Sequence, residues 1–129
     1  MNPALKKDFR FMMKQRGGML AKGRLLGLQF DTLFTDDLYF KISRHANEMA
    51  KKIHAIFEDN GYPFFFNSPT NQQYPIMSDA ELAVLGKEFG YEYWDRVDET
   101  HSAIRFAASW ATTEENVAAL RKGVEALKK

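Results

Sequence analysis

Arg105 is the residue whose type and neighbours point most directly to ligand chemistry. It stands between Ala103 and Ala107 in a run of alternating small and bulky side chains. An arginine presents a planar fork of N–H donors that matches a carboxylate at two points, and small neighbours let a ligand approach it. Arg105 is therefore a candidate carboxylate-binding residue. The alternative, which strand geometry alone favours, is a surface arginine paired with Glu92, with Glu99 or with nothing.

A second group of candidate residues surrounds the glycine pair at positions 17 and 18. Four basic side chains flank this pair: Lys14, Arg16, Lys22 and Arg24. Bare backbone amides and cationic side chains both donate hydrogen bonds to phosphate, so this segment is a candidate phosphate contact. The alternative is a break between two helices with solvated basic ends. The sequence contains neither a P-loop nor a dinucleotide-binding glycine pattern.

The remaining polar residues predict neither a catalytic centre nor a metal site. His45 and His54 do not have the i, i+4 spacing of a helical metal-binding pair. Nothing places a nucleophile or an orienting group beside the polar cluster near one turn, which consists of Asp95, Asp98, Glu99 and His101. Because the chain has no cysteine, disulfides and thiolate nucleophiles are excluded.

Length and composition narrow the class of protein. A chain of 129 residues with 45% hydrophobic content and 11 phenylalanines is long and apolar enough to bury a core. A net charge of +1 gives no electrostatic reason to expect nucleic acid or an anionic membrane as partner. No apolar run approaches the ~20 residues that span a bilayer, and no signal-peptide pattern is present, so we expect a cytoplasmic location.

Periodicity predicts the elements that position Arg105. Alternation predicts a strand around it, with a bulky apolar face made of Ile104, Phe106, Ala108 and Trp110. Thr112 and Glu115 have the spacing of a capping box, which predicts that a closing helix starts there. A strand that carries the arginine should therefore run directly into the last helix.

The rest of the chain predicts helices and short strands. Asn2 followed by proline indicates a first helix, and Thr35 with two aspartates indicates the start of a long helix that Gly61 stops. Short strands are predicted at 64–66, 72–77 and 91–97, and Ser78 with Glu81 forms a second capping box. The predicted fold class is α+β: N-terminal helices followed by a small, mostly antiparallel sheet with packed helices.

Several of these segments together resemble one enzyme family. They are residues 2–11, 14–27, 68–73 and 104–113, and they include the blocks Lys-Gly-Arg-Leu-Leu-Gly and Arg-Phe-Ala-Ala-Ser-Trp-Ala-Thr-Thr. These blocks resemble the C-terminal portion of the low-specificity threonine aldolase and beta-eliminating lyase family. Its members are pyridoxal-phosphate enzymes of the aspartate-aminotransferase fold.

The resemblance implies roles for three residues. Arg105 would hold the α-carboxylate of an amino acid substrate, and Lys14 and Arg16 would lie near the cofactor phosphate or the active-site mouth, often across a dimer interface. Residues 1–34 would be a helical segment that links to a missing large domain, and 35–129 would be the C-terminal small domain. The same resemblance implies a homo-oligomer and the cofactor pyridoxal phosphate.

One departure from the family pattern carries a further expectation. The family's Schiff-base lysine lies upstream of the block that resembles residues 2–11, so we expect little or no activity from these 129 residues alone. The alternative function is a truncated, non-catalytic α+β module. Its glycine-spaced helix and phenylalanine-rich surface would then serve homo-oligomer or partner association.

Overall fold

The chain divides into two compact units, one ending at Tyr39 and the other beginning at Phe40. The computed structural model describes residues 2–128, apart from the side chain of Leu5. The division falls in the first turn of a long helix that begins at Leu38. The sequence-based division into a linking segment, 1–34, and a C-terminal small domain, 35–129, stays a prediction.

The first unit is helical. The side chain of Asn2 accepts a hydrogen bond from the amide of Ala4 at 3.0 Å, so the predicted N-cap is present. It caps only a 3₁₀ turn, and the first α-helix starts later, after Asp8 in a left-handed conformation (φ 59°). The elements are the 3₁₀ helix Pro3–Leu5, α1 (Phe9–Gln15), α2 (Gly23–Phe34) and the 3₁₀ helix Thr35–Asp37.

Large apolar side chains are exposed throughout this first unit. Neither α1 nor α2 contains a buried residue. An isolated helix of such length is marginal in water unless an apolar face packs against something. The most exposed of these side chains are Phe11, Leu25 and Phe30, which are 74%, 61% and 63% accessible.

The sheet of the second unit is built around one central strand. Its pairs Gln72–Ala107 and Ile76–Ala103 share one register, so the two strands on that edge form a single line interrupted at Pro75. The strands are β1 (Gln72–Gln73), β2 (Ile76–Ser78), β3 (Glu92–Arg96) and β4 (His101–Ala107). All pairings are antiparallel, and the central strand β4 lies between β3 on one side and β1 with β2 on the other.

Three helices cover one face of this sheet and form the core with it. Fully buried side chains include Phe57, Ile104 and Val124, which come from three different elements. Antiparallel sheets commonly keep one face covered and leave the other exposed. The helices are α3 (Leu38–Asp59), α4 (Asp79–Leu85) and α5 (Glu114–Ala126). The predicted α+β fold class is confirmed.

Most local signals of the sequence are present in the second unit. Gly61 adopts φ 76° and ends α3, since the amide of Tyr62 bonds back to the carbonyl of Phe57 at 3.0 Å. The capping box of Ser78 and Glu81 starts α4 as predicted.

Three local predictions are wrong. The second capping box is formed by Thr113 with Asn116, one residue beyond the predicted pair. Trp110 is 71% exposed, because β4 ends before it and it lies in the following turn. The predicted buried strand at 64–66 forms only one isolated bridge, from Phe64 to Pro75, and Phe65 is 41% exposed.

Within residues 2–128, no helix is long and apolar enough to cross a membrane. The cytoplasmic location stays a prediction.

Candidate carboxylate-binding site

Arg105 lies at the centre of the open face of the sheet. Its neighbours Ile104 and Phe106 belong to the core, so alternation along β4 directs the arginine to the opposite face. One terminal nitrogen donates to Oε1 of Gln72 at 3.3 Å, and the other pairs with Oε2 of Glu92. The side chain is 28% exposed. Glu92 is one of the two partners that the surface-arginine alternative named.

A β-bulge brings an aromatic ring against this arginine. β3 pairs with β4 at Tyr93–Ile104 and then at Asp95–Ala103, which leaves Trp94 as the extra residue. Bulges of this kind change the direction of a side chain and are common beside functional sites. The guanidinium carbon of Arg105 stands 5.9 Å from the centre of the Trp94 ring, within cation–π range.

The ring of Trp94 is part of a larger aromatic group. It packs edge-on to Tyr74 at 4.8 Å, and Tyr74 packs against Phe66 at 4.4 Å. The hydroxyl of Tyr74 donates to the same Oε1 atom of Gln72 that accepts from Arg105. The guanidinium is therefore held by a ring on one side and by an oriented amide on the other. Sequence reasoning did not identify Gln72, Tyr74 or Trp94, because cross-strand register brings them to Arg105.

An open cavity of about 330 Å³ lies at this arginine. Its lining residues are Gly90, Tyr91, Glu92, Arg105 and Ala107. The single cation in that set is the guanidinium, and the small neighbours leave it approachable. The donor set suits a carboxylate, which can accept two parallel N–H···O bonds from such a fork.

A second cavity, of about 220 Å³, lies between α3 and residues 67–70. The amide nitrogen of Gln73 donates to the carbonyls of Ser68 and Thr70, both at 3.2 Å, so its oxygen faces Nδ1 of His54 at 2.9 Å. His54 therefore donates from Nδ1. The same ring stacks on Phe64 with centres 3.9 Å apart. The sequence had indicated only a surface or flanking role for His54.

The polar cluster near the β3–β4 turn is structural. Oδ1 of Asp98 accepts from the amides of Thr100 and His101, both at 2.8 Å, and Nδ1 of His101 lies 3.0 Å away. These bonds, chiefly the one from Thr100, lower the pKa of Asp98 to about 2. Beside the turn, one nitrogen of Arg96 donates to both oxygens of Asp79 at 2.8 Å. The cluster fixes the hairpin that carries Arg105.

Lys14 and Arg16 lie in the first unit, at the end of α1, and both are exposed. The amide of Gly17 donates to the carbonyl of Lys14 at 3.2 Å, and that of Gly18 donates to the carbonyl of Met13 at 2.7 Å. The expectation of bare amides at this glycine pair is therefore wrong. The two cations could contact a phosphate through charge, and their role near a cofactor stays a prediction.

The described residues do not fit a complete site for pyridoxal phosphate. A Schiff base needs a lysine amine beside the substrate, and the cavity at Arg105 is lined by none. The chemistry that these residues support is binding and orientation of a carboxylate. Within residues 2–128, no group of three or more histidine, aspartate or glutamate side chains is arranged to hold a metal ion.

Comparison with solved structures shows first where a similar fold occurs. The serine palmitoyltransferase of Sphingomonas wittichii matches 64% of the chain with a TM-score of 0.53 and 14% identity, and the chain covers 23% of that protein. This likeness shows the fold alone.

The particular family follows from a second structure. The threonine aldolase of Leishmania major matches 99% of the chain with a TM-score of 0.87 and 34% identity. The chain spans 37% of that protein's length. The resemblance to the threonine aldolase family is thereby confirmed. No family model and no curated protein matches the chain.

Proposed function

We propose that this chain is the substrate-carboxylate-binding lobe of a lyase that cleaves threonine and related β-hydroxy amino acids to glycine and an aldehyde. The observation that carries the proposal is Arg105, held at the centre of an open sheet face with a cavity at its fork. The 34% identity to a threonine aldolase supports it, because the arginine lies in a block that resembles that family.

In this proposal Arg105 binds the α-carboxylate of the amino acid through its two terminal nitrogens. Two parallel charge-assisted bonds fix the plane of the carboxylate and, with it, the directions of the other substituents on the α-carbon. The arginine thereby selects which bond is presented for cleavage. Trp94 and Gln72 keep the fork in place while the ligand exchanges.

The cofactor would be held mainly by other polypeptide. We propose that the Schiff-base lysine and the groups around the pyridine ring lie outside residues 2–128, so that these residues alone have little or no activity. Lys14 and Arg16 would contribute positive charge near the cofactor phosphate. An absorbance spectrum of the 129-residue protein with pyridoxal phosphate, before and after borohydride reduction, tests this proposal. A reducible aldimine fixed to one of its lysines would contradict it.

The role of Arg105 is tested by measuring the kinetics of threonine cleavage with the protein expressed from its complete gene. Arg105→Ala should lower kcat/KM for threonine cleavage, with a loss of transition-state stabilisation on the order of 2 kcal/mol or more, since a charge-assisted two-point contact is lost. Arg121→Ala is the matched control, because Arg121 pairs with the exposed Asp59 on the helical side. Unchanged kcat/KM in Arg105→Ala would reject the assignment.

The alternative, a non-catalytic module that associates with a second copy of itself, is favoured by one observation. Many large apolar side chains of the first unit are exposed, among them Phe11 and Phe30, and extensive exposed apolar surface is typical of an interaction site. Light scattering over a range of concentrations, with Phe11→Ser and Phe30→Ser as variants, measures this association. A homo-oligomer that these variants dissociate, together with absence of carboxylate binding at Arg105, would favour the alternative over the lyase.

A further inference from the structure

Glu92 occupies the position at the Arg105 fork that a ligand carboxylate would take. Its Oε2 atom pairs with one terminal nitrogen, while the other nitrogen donates to the Gln72 amide. Each terminal nitrogen carries two N–H groups, so the neutral Gln72 amide can stay bonded, whereas a ligand carboxylate at the fork competes with the like-charged glutamate. Within residues 2–128, Glu92 is the acidic side chain that forms an ion pair with Arg105.

The two members of this pair are held very differently. The Glu92 side chain is 69% exposed and makes no other hydrogen bond within the described part of the chain, whereas the Arg105 side chain is 28% exposed. Arg105 is also contacted by the Trp94 ring and bonded to Gln72. When a ligand arrives, the glutamate can turn into solvent while the arginine stays in place.

Backbone register keeps the glutamate within reach of the arginine at all times. Glu92 is paired directly with Arg105 across the β3–β4 ladder, ahead of the bulge at Trp94, so both side chains lie on the open face. A group tethered in this way competes with a free ligand at a high effective concentration. The competition is therefore built into the strand pairing and does not depend on another molecule.

We propose that Glu92 is an internal competitor that sets the affinity of Arg105 for carboxylate ligands. The inference rests on the proposed function of Arg105 and adds a residue that weakens binding. Removing the charge should strengthen carboxylate binding about two- to fivefold, because ion pairs this exposed are individually weak. The glutamate thus favours release of a bound amino acid carboxylate over tight retention.

The test is an NMR titration of the ¹⁵N-labelled chain with sodium acetate, at ionic strength held constant with sodium chloride. The Arg105 side-chain N–H resonance is assigned by its loss in Arg105→Lys. Glu92→Gln should bind acetate about two- to fivefold more tightly than the unaltered chain. Asp59→Asn is the matched control, since it removes the same charge from the Arg121 pair on the other side of the domain. Far-UV circular dichroism verifies that each variant is folded.

The outcomes distinguish a failure of the Glu92 competitor from a failure of the carboxylate site itself. Equal acetate affinity in Glu92→Gln and the unaltered chain would overturn the competitor and leave the carboxylate site standing. Equal strengthening in Asp59→Asn would also overturn it, because net charge would then explain the change. A resonance that does not respond to acetate in any variant would reject the carboxylate site and the competitor together.

A kinetic measurement on the protein expressed from its own gene gives a second readout. Glu92→Gln should lower KM for threonine about two- to fivefold and leave kcat unchanged, because it alters only the competition for binding. A fall in kcat with unchanged KM would contradict the proposal.

Discussion

Tyr74 and Arg105 donate hydrogen bonds to the same atom, Oε1 of Gln72, at 2.7 and 3.3 Å. Tyr74 is buried, and its hydroxyl reaches the arginine through that amide. The tyrosine therefore orients the acceptor that orients the guanidinium, which makes it a positioning residue.

Replacing Tyr74 with phenylalanine should weaken acetate binding at Arg105 about two- to fivefold. One hydrogen bond contributes about 1 kcal/mol, and its loss frees the Gln72 amide to rotate. The NMR titration described above measures the change. Tyr93→Phe is the control, because it removes an exposed hydroxyl from β3. Equal weakening in both variants would contradict a specific role for Tyr74.

Stability at acid pH should depend on Asp98. Its pKa is lowered to about 2 in the folded chain from an ordinary value of 3.8, so its contribution to stability is present above about pH 4 and is lost as the pH falls towards 2. Urea unfolding of the unaltered chain and of Asp98→Asn should therefore give midpoints that differ at pH 5 and converge near pH 2. Glu99→Gln, in the same turn, is the control. A difference that stayed constant with pH would show that Asp98 does not titrate in this way.

Gly123→Ala should destabilise the chain although it improves helix propensity. A β-carbon at Gly123 would lie 2.5 Å from Cε2 of Phe89, so the half-buried ring has to move. Overpacking of this kind costs about 1 to 3 kcal/mol, against a gain of about 1 kcal/mol from replacing a helical glycine. Urea unfolding measures the net change.

The Phe89→Leu background isolates the clash at Gly123. There the same glycine replacement should become neutral or stabilising, since the ring is gone. Destabilisation of equal size in both backgrounds would point to a cause other than Phe89.

Thr113→Ala should lower the free energy of unfolding by about 1 kcal/mol and expose the amides in the first turn of α5 to solvent. The Thr113 hydroxyl accepts the amide of Asn116 at 3.3 Å, whereas the Thr112 hydroxyl accepts the amide of Ser109 at 2.9 Å. Amide hydrogen exchange distinguishes the two: Thr113→Ala should speed exchange at Asn116, and Thr112→Ala should speed it at Ser109. Faster exchange at Glu115 in Thr112→Ala would instead support the Thr112–Glu115 cap predicted from the sequence.

Features that depend on near neighbours along the chain could be predicted from the sequence. The strand around Arg105, the Ser78–Glu81 cap and the stop at Gly61 arise from side-chain alternation, from a contact three residues away and from a glycine at positive φ. The cap of α5 was misplaced by one residue because Thr112 and Thr113 are chemically alike. The tertiary turn decides which hydroxyl faces the helix.

The candidate site was only partly predictable for the same physical reason. The type of Arg105 and its small neighbours are visible in the sequence, and they are sufficient to suggest a carboxylate ligand. Its contact with Gln72 depends on pairing between strands far apart in sequence, and its contact with Trp94 depends on the register and bulge of the β3–β4 hairpin. Likewise, the bond between His54 and Gln73 forms where α3 packs against the sheet.

The amino-acid order was thus enough for the fold class, the main elements and the position of Arg105 on a strand among small neighbours, since these follow from local periodicity and side-chain chemistry. The tertiary structure determined which residues lie next to Arg105. The β3–β4 register sets Glu92 opposite Arg105, and the bulge at Trp94 brings an indole to the guanidinium. Register and bulges arise from packing across the whole sheet, because backbone pairing there is satisfied collectively and no short segment specifies it.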